Sequence, residues 1–354
     1  MKKNILLLLS SFLFIFLVVE LFLRMFLPQE TSTPWRVYLN DGLLLNKNKG
    51  SAYHYFNKGN IKVKYSFGKY HNRKYNLENL EKKILVLGDS AIFGWLLDDE
   101  DTFVYKLAKK FPKYEFINSA AGGQSTSDQV RYLEKFCNKI MPTYTFYIMN
   151  SADINRSKNS NLYSLNKDGN LISGNNNIPL IYKILDNNLI YDFLVSNFNT
   201  ISFLRKSYVV VLDYINLYKN KKKESNNFSK KDSVKIDEKD SSIIKNDNNY
   251  MFEKKLILKL QKLSNQCKTQ FYLINFAWYD KKSYPHQGGT YEFLNKNPQF
   301  FVENKINFID LDNQMVDKYK NPQEYEIKFD GHPNLKASKL YYEILYSKLK
   351  NIIN

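Results

Sequence analysis

The sequence predicts an α/β protein, a three-layer αβα sandwich on a five-stranded parallel sheet, preceded by one N-terminal transmembrane helix. Three observations carry that expectation. Five short apolar runs, at residues 83–87, 114–118, 143–149, 270–276 and 306–311, alternate with stretches of helical periodicity, the pattern of repeated βαβ units. The first run is apolar without alternation, as a strand covered on both faces requires, and it leads straight into Gly88-Asp89-Ser90. Far upstream, the apolar stretch from Ile5 to Leu27 exceeds the ~20 residues that a helix needs to cross a bilayer.

That N-terminal stretch sets the organisation. Lys2 and Lys3 precede it, so the positive-inside rule keeps the N-terminus cytoplasmic and sends the remainder across the membrane. A cleaved signal peptide would have a shorter apolar core and a small-x-small site after it; LFLRMFLPQE contains none. Residues 1–28 therefore read as an uncleaved signal anchor. Glu20 and Arg24 share a face near its outer end. Both are costly in lipid, which makes them an interfacial pair or a contact to a partner membrane protein.

Composition narrows the partners. The chain of 354 residues carries a formal net charge of +17 with 44% hydrophobic residues. Its lysines lie in loops and on helix faces with no interleaved aromatic-basic motif, so they read as solvated charge and nucleic acid is not an expected partner. Four histidines, His54, His71, His286 and His332, and two cysteines, Cys137 and Cys267, lack the spacing of a metal set. No metal or other cofactor is expected. Two cysteines permit a disulfide, and nothing else in the sequence argues for one.

Residues 29–82 read as an irregular or β-rich collar, and residues 83–354 as the main domain. After the first strand, Thr102 or Asp101 caps a helix running through Lys110, whose terminal lysines suit the helix dipole. Pro112 ends it. The second strand leads into SAAGGQSTSD, where Gly122-Gly123 permits unusual backbone angles and Ser125, Thr126 or Ser127 caps the next helix. The third strand ends at Asn150. The alternation then stops for an insertion over residues 151–249. Its apolar patches read as helices packed over or beside the sheet, most simply a structural subdomain and otherwise a lid or a membrane-facing surface, and its Lys/Asn/Ser/Asp-rich end, residues 219–249, as disordered. An amphipathic helix, strands four and five and a terminal helix after Pro333 complete a flavodoxin-like order.

The candidate chemistry lies at strand ends. Ser90 follows strand one, Gly123 strand two and Asn150 strand three, while Asp330 and His332 precede the last helix in KFDGHPNLKAS. Parallel strands bring such ends to one edge of a sheet. There Ser90 can be a nucleophile, His332 its base, and Asp330 the group that orients the imidazole. The backbone N–H groups of Ser90 and Gly123 with the Asn150 amide can bind an oxyanion. Asn150 reads almost equally well as a strand-end cap. Trp95 can line an acyl pocket or simply pack, and His286 can contact substrate or lie in a surface loop.

These blocks, GDS with FG and DTF after it, NSAAGGQSTSDQ, the strand ending at Asn150, and DGHPN, resemble the SGNH (GDSL-type) hydrolase family. The resemblance implies a flavodoxin-like αβα fold and ester hydrolysis or acyl transfer. It assigns the family's four named positions to Ser90, Gly123, Asn150 and His332, with Asp330 completing the triad. Two departures stand out. The third block reads MNSAD, without the neighbouring Gly and Asp, so that Asp153 is a displaced acidic position. Asp330 precedes His332 by two residues rather than three, a spacing similar to that of the family's polysaccharide-acetylation branch. Three readings stay open: a membrane-anchored extracytoplasmic esterase or deacylase (periplasmic in a Gram-negative cell) acting on an acyl-ester or acetylated carbohydrate; an O-acyltransferase acting on envelope or exported polysaccharide; and a non-catalytic glycan-binding envelope protein. Oligomeric state is not readable.

Overall fold

In the computed structural model, the residues described are 2–75, 80–174, 188–228, 238–275, 297–311 and 321–353, with residues 178, 185 and 293. Two compact units emerge, one comprising residues 1–34, 53–62 and 187–244, the other residues 35–52, 63–186 and 245–354. Their elements run, in chain order, as α1 (Lys2–Phe26), β1 (Arg36–Tyr38), β2 (Leu44–Asn46), β3 (Gly50–Phe56), β4 (Ile61–Gly68), β5 (Asn72–Arg73), β6 (Lys82–Leu87), α2 (Ser90–Phe93), α3 (Phe103–Lys110), β7 (Tyr114–Asn118), α4 (Thr126–Ile140), β8 (Tyr144–Met149) and α5 (Ser151–Asn159). There follow β9 (Tyr163–Leu165), β10 (Leu171–Ser173), α6 (Leu189–Asn197), α7 (Asn199–Phe228), α8 (Glu238–Gln266), β11 (Gln270–Asn275), α9 (Pro298–Glu303), β12 (Asn307–Asp310) and α10 (Leu335–Leu349).

The main sheet has the order β12-β11-β8-β6-β7-β5-β4-β3. Its parallel part, β7-β6-β8-β11-β12, has the flavodoxin-like order expected from the sequence. The five expected parallel strands are all present, and three further strands extend the sheet to eight. The added strands come from the collar, where β5 pairs antiparallel with both β4 and β7. Part of the collar is therefore sheet edge rather than linker, because the alternating IKVKYSFG offers one apolar face to extend the pleated surface.

Strand alternation divides the larger unit into its layers. Leu85, Leu87, Ile117, Tyr147 and Met149 face a core shared with Val130 and Leu133 of α4, Leu256 and Leu260 of α8, and Phe300 of α9. On the opposite side, Val86, Phe116, Phe146, Ile148 and Ile274 pack with Phe103 and Leu107 of α3 and Leu345 and Leu349 of α10. Cys137 of α4 is disulfide-bonded to Cys267, just beyond α8. That pairing is a finding of the structure.

Capping follows the sequence closely. Thr102 caps α3 by accepting a hydrogen bond from the Tyr105 N–H, and Ser125 forms a capping box with Asp128 at α4. The insertion differs from expectation. Helix α7 continues to Phe228 and α8 begins at Glu238, so both ends of the stretch read as disordered are helical, and residues 229–237 lie outside the described residues. Extending an existing helix is far easier than nucleating one, so apolar segments carry polar flanks with them.

The smaller unit holds α1, α6 and α7. The most apolar 18-residue stretch within Lys3–Phe26 has a mean hydropathy of 2.8, and almost all side chains of that segment are exposed, which suits a membrane anchor.

Candidate active site

Strand β6 ends at Leu87 and the chain turns at once into α2, a single helical turn that begins with Ser90. Asp89 caps this turn, its carboxylate accepting from the Ala91 N–H at 2.9 Å. The close turn depends on Gly88, because a Cβ there would come within 2.4 Å of the Ile92 side chain. Buried Gln129 of α4 donates to the Gly88 carbonyl at 2.9 Å, tying the turn to the next helix. Ser90 is thereby held, 6% exposed, at the C-terminal edge of the parallel strands.

His332 approaches from the segment before α10. Its Nε2 lies 2.9 Å from Ser90 Oγ and its Nδ1 2.5 Å from Asp330 Oδ1. A carboxylate only accepts, so Nδ1 carries the proton and Nε2 accepts from the Ser90 hydroxyl. The short Asp-Gly-His spacing works because Gly331 adopts a φ of +90°, a left-handed conformation that suits glycine. Asp330 Oδ1 then reaches the His332 backbone N–H at 3.2 Å as well as the ring, an Asx turn that fixes the carboxylate. Trp95 stacks on the imidazole with ring centroids 5.4 Å apart and planes 27° apart. Gly122 makes room for it, since a Cβ would fall 2.9 Å from the indole.

Gly123 sits in the loop after β7 with a φ of +88°, and a Cβ there would meet Arg36 and Leu44 only at an ordinary contact distance of 3.9 Å, so the constraint there is backbone conformation rather than bulk. Asn150 caps α5 and forms a capping box with Asp153. Its Nδ2 donates to Asp89 Oδ2 at 3.2 Å, and Arg156 Nη1 donates to the same oxygen at 2.9 Å. Asp89 thus links the nucleophile turn to the Asn150 amide, with an arginine balancing its charge. The structure brings Ser90, Asp330, His332 and Trp95 together and joins Asn150 to the nucleophile turn through Asp89. His286 lies outside the described residues.

Behind this edge runs a buried polar chain. Tyr147 donates to Asp153 Oδ2 at 3.0 Å and lies 2.7 Å from the Thr126 hydroxyl, which in turn bonds Glu253. Burial, with the Asp89 charge adding to it, pushes the Asp153 carboxyl well above the usual carboxylate range. Burial also raises Glu253 to about 7, partly offset by hydrogen bonds from Thr126 and Ser157.

Sequence reasoning missed two supports. Arg73, fully buried on β5, donates to the carbonyls of Phe93, Gly94 and Leu97 and pairs with Asp99 at 2.7 Å. Its guanidinium lies 4.7 and 4.9 Å from the ring centres of Tyr65 and Phe93, so a collar residue holds the C-terminal end of α2. Nothing in its local pattern marks it. Arg156 was findable, three residues beyond Asp153 on the same helix face. Among the described residues, no cluster of three His, Cys, Asp or Glu side chains is placed to hold a metal ion.

No family model and no curated protein matches the chain. Solved structures do. They include the esterase EstA from Pseudoalteromonas sp. (14% identity, 77% of this chain and all of that one, TM-score 0.43). A member of the lipolytic protein G-D-S-L family from Veillonella parvula matches at 11% identity, over 75% and 97% of the two chains, with a TM-score of 0.39. The acetyl xylan esterase AlAXEase matches at 13% identity, over 75% and 99%, also with a TM-score of 0.39. Likenesses this distant decide nothing about activity, which has to be read from the residues of this chain itself.

Proposed function

We propose that the protein is a serine ester hydrolase of the SGNH type, anchored in the membrane by α1 with its catalytic unit outside the cytoplasm. The carrying observation is the relay Ser90–His332–Asp330, with contacts of 2.9 and 2.5 Å. Ser90 Oγ attacks the acyl carbonyl as His332 Nε2 takes its proton, and Asp330 stabilises the imidazolium that forms. The N–H groups of Ser90 and Gly123 and the Asn150 amide receive the oxyanion. His332 returns the proton to the departing alcohol. A second hydroxyl then gives its proton to His332, attacks the acyl-serine and releases the acyl group as Ser90 is reprotonated. Water as that hydroxyl makes the protein an esterase; a sugar makes it an acyltransferase. The resemblance to the polysaccharide-acetylation branch favours acetylated carbohydrate as the substrate class.

The test is covalent labelling of the full chain in detergent by a fluorophosphonate. Ser90 is the expected site, and labelling falls sharply in His332→Ala. Folded wild-type protein that does not label at all points instead to a glycan-binding protein. Supplying an acetyl ester with and without an oligosaccharide acceptor then separates hydrolysis from transfer by whether free acetate or acetylated sugar accumulates.

A further inference from the structure

We propose that α6 and the start of α7, up to Lys206, form an elbow immersed in the outer leaflet of the bilayer, packed against α1, with lipid acyl chains as its partner. The proposal rests on the reading of α1 as a membrane-spanning anchor and extends it to a part of the chain far away in sequence.

Polarity in this unit is inverted. Glu20, Asp192, Asn199, Thr200 and Ser202 are buried. Leu189, Ile190 and Phe193 of α6, and Leu204, Val210 and Tyr214 of α7, are exposed, Leu189 by 83% and Tyr214 by 72%. Water-soluble surfaces place such residues the other way round and seldom expose a contiguous apolar patch of this extent.

The contact with α1 defines the depth. The face of α1 that is not fully exposed carries Phe16, Glu20 and Leu23, a seam at i, i+4 and i+7. Phe198, between α6 and α7, places its ring 5.4 Å from that of Phe16. At ~1.5 Å per residue, Phe16 lies about 16 Å inboard of Leu27, roughly half the thickness of a hydrocarbon core.

The polar contacts are those that such a position demands. A break between two helices leaves carbonyls at one end and N–H groups at the other, and in hydrocarbon each bare group costs several kcal/mol. Here Glu20 accepts from the backbone N–H groups of Asn199 and Thr200 at 2.9 and 2.8 Å and from the Thr200 hydroxyl at 2.8 Å. Arg24 donates to the Asn197 carbonyl and to Glu20, both at 2.7 Å. The ion pair inside α1 therefore serves both ends of the break. Farther along α7, Lys206 pairs with Glu30 at 3.1 Å, a charged contact suited to the headgroup level. The partner of Glu20 and Arg24 is thus this chain itself.

The test uses the full chain in phosphatidylcholine vesicles. Its two native cysteines are paired with each other, so a single introduced thiol can carry an environment-sensitive fluorophore. Phe193→Cys and Leu204→Cys report on the elbow, Phe14→Cys on α1 and Lys113→Cys on an exposed position of the other unit. Lipids bearing a nitroxide on the acyl chain should quench Phe193→Cys and Leu204→Cys as well as Phe14→Cys and leave Lys113→Cys unchanged. Quenching at Phe14 but not at both elbow sites overturns the proposal and means that protein, another copy or a partner, covers the elbow. Loss of quenching at Phe14 overturns the anchor reading itself. Equal quenching at Lys113 means general adsorption and also overturns the elbow.

Discussion

In the larger unit, a core of Leu, Ile, Phe and Tyr from a sheet and its covering helices encloses buried ionisable groups such as Arg73, Asp153 and Glu253, whereas in the smaller unit Glu20, Asp192, Asn199 and Thr200 are buried beside surfaces of exposed Leu, Val and Phe. Each unit nonetheless uses one charged side chain to satisfy backbone groups that its fold leaves open. Arg73 collects the carbonyls at the end of α2, and Glu20 collects the N–H groups at the start of α7. The lesson is that burial of charge has no single meaning. In one unit it holds the turn that begins with Ser90, and in the other it satisfies the N–H groups at a helix break.

The largest expected effect is at Arg73. Arg73→Met removes the cation from a buried pair, leaving Asp99 and three carbonyls without it, and should lower unfolding stability by about 3–5 kcal/mol. Chemical denaturation in detergent measures it; a loss below about 1 kcal/mol would break the parallel with Glu20. Next is Asn150→Ser, which retains a helix cap but lacks the amide donor. It should reduce kcat by about 10²–10³-fold, or roughly 3–4 kcal/mol, with little change in melting temperature. An unchanged kcat would assign Asn150 to capping alone.

A third effect depends on pH. Glu253 has a folded-state pKa of about 7 against an ordinary glutamate value of 4.5, so the folded state holds its proton more tightly. The corresponding stability is complete below about pH 4.5 and is lost as pH rises through about 7. Asp128, raised by burial to about 6, acts in the same direction. Glu253→Gln should flatten part of this decline, on the order of 3 kcal/mol between pH 4.5 and 8, as measured by denaturation midpoints across that range. The smallest effect is in the other unit. Glu20→Gln weakens charge-assisted bonds to α7 and should cost about 1–3 kcal/mol, seen as easier proteolysis of residues 189–215 at unchanged esterase turnover.

Much of the larger unit was legible because its signals are local. Strand periodicity, the Thr102 and Ser125 caps and the order of the parallel strands all follow from short windows of sequence. The positions of Ser90, Asp330 and His332 were legible for a related reason, since parallel strand ends converge whatever lies between them. Arg73 was not, because its partners at Phe93, Gly94 and Leu97 are backbone carbonyls that leave no trace in residue type. The strand that joins the collar to the parallel sheet was hidden by shortness, β5 being only two residues long. Glu20 and Arg24 announced that something polar must meet them, but the partner lies more than 170 residues away, beyond the reach of any periodicity.

The Cys137–Cys267 bond spans 130 residues of sequence and closes them into a covalent ring that contains α5, α6, α7 and α8. A single cut anywhere between the two cysteines would open that ring without dividing the molecule. A protease that nicked the stretch between α7 and α8 would yield two fragments only after reduction. In an oxidising compartment, where such bonds persist, the nicked chain would keep its Ser90 and His332 segments on one covalently continuous body.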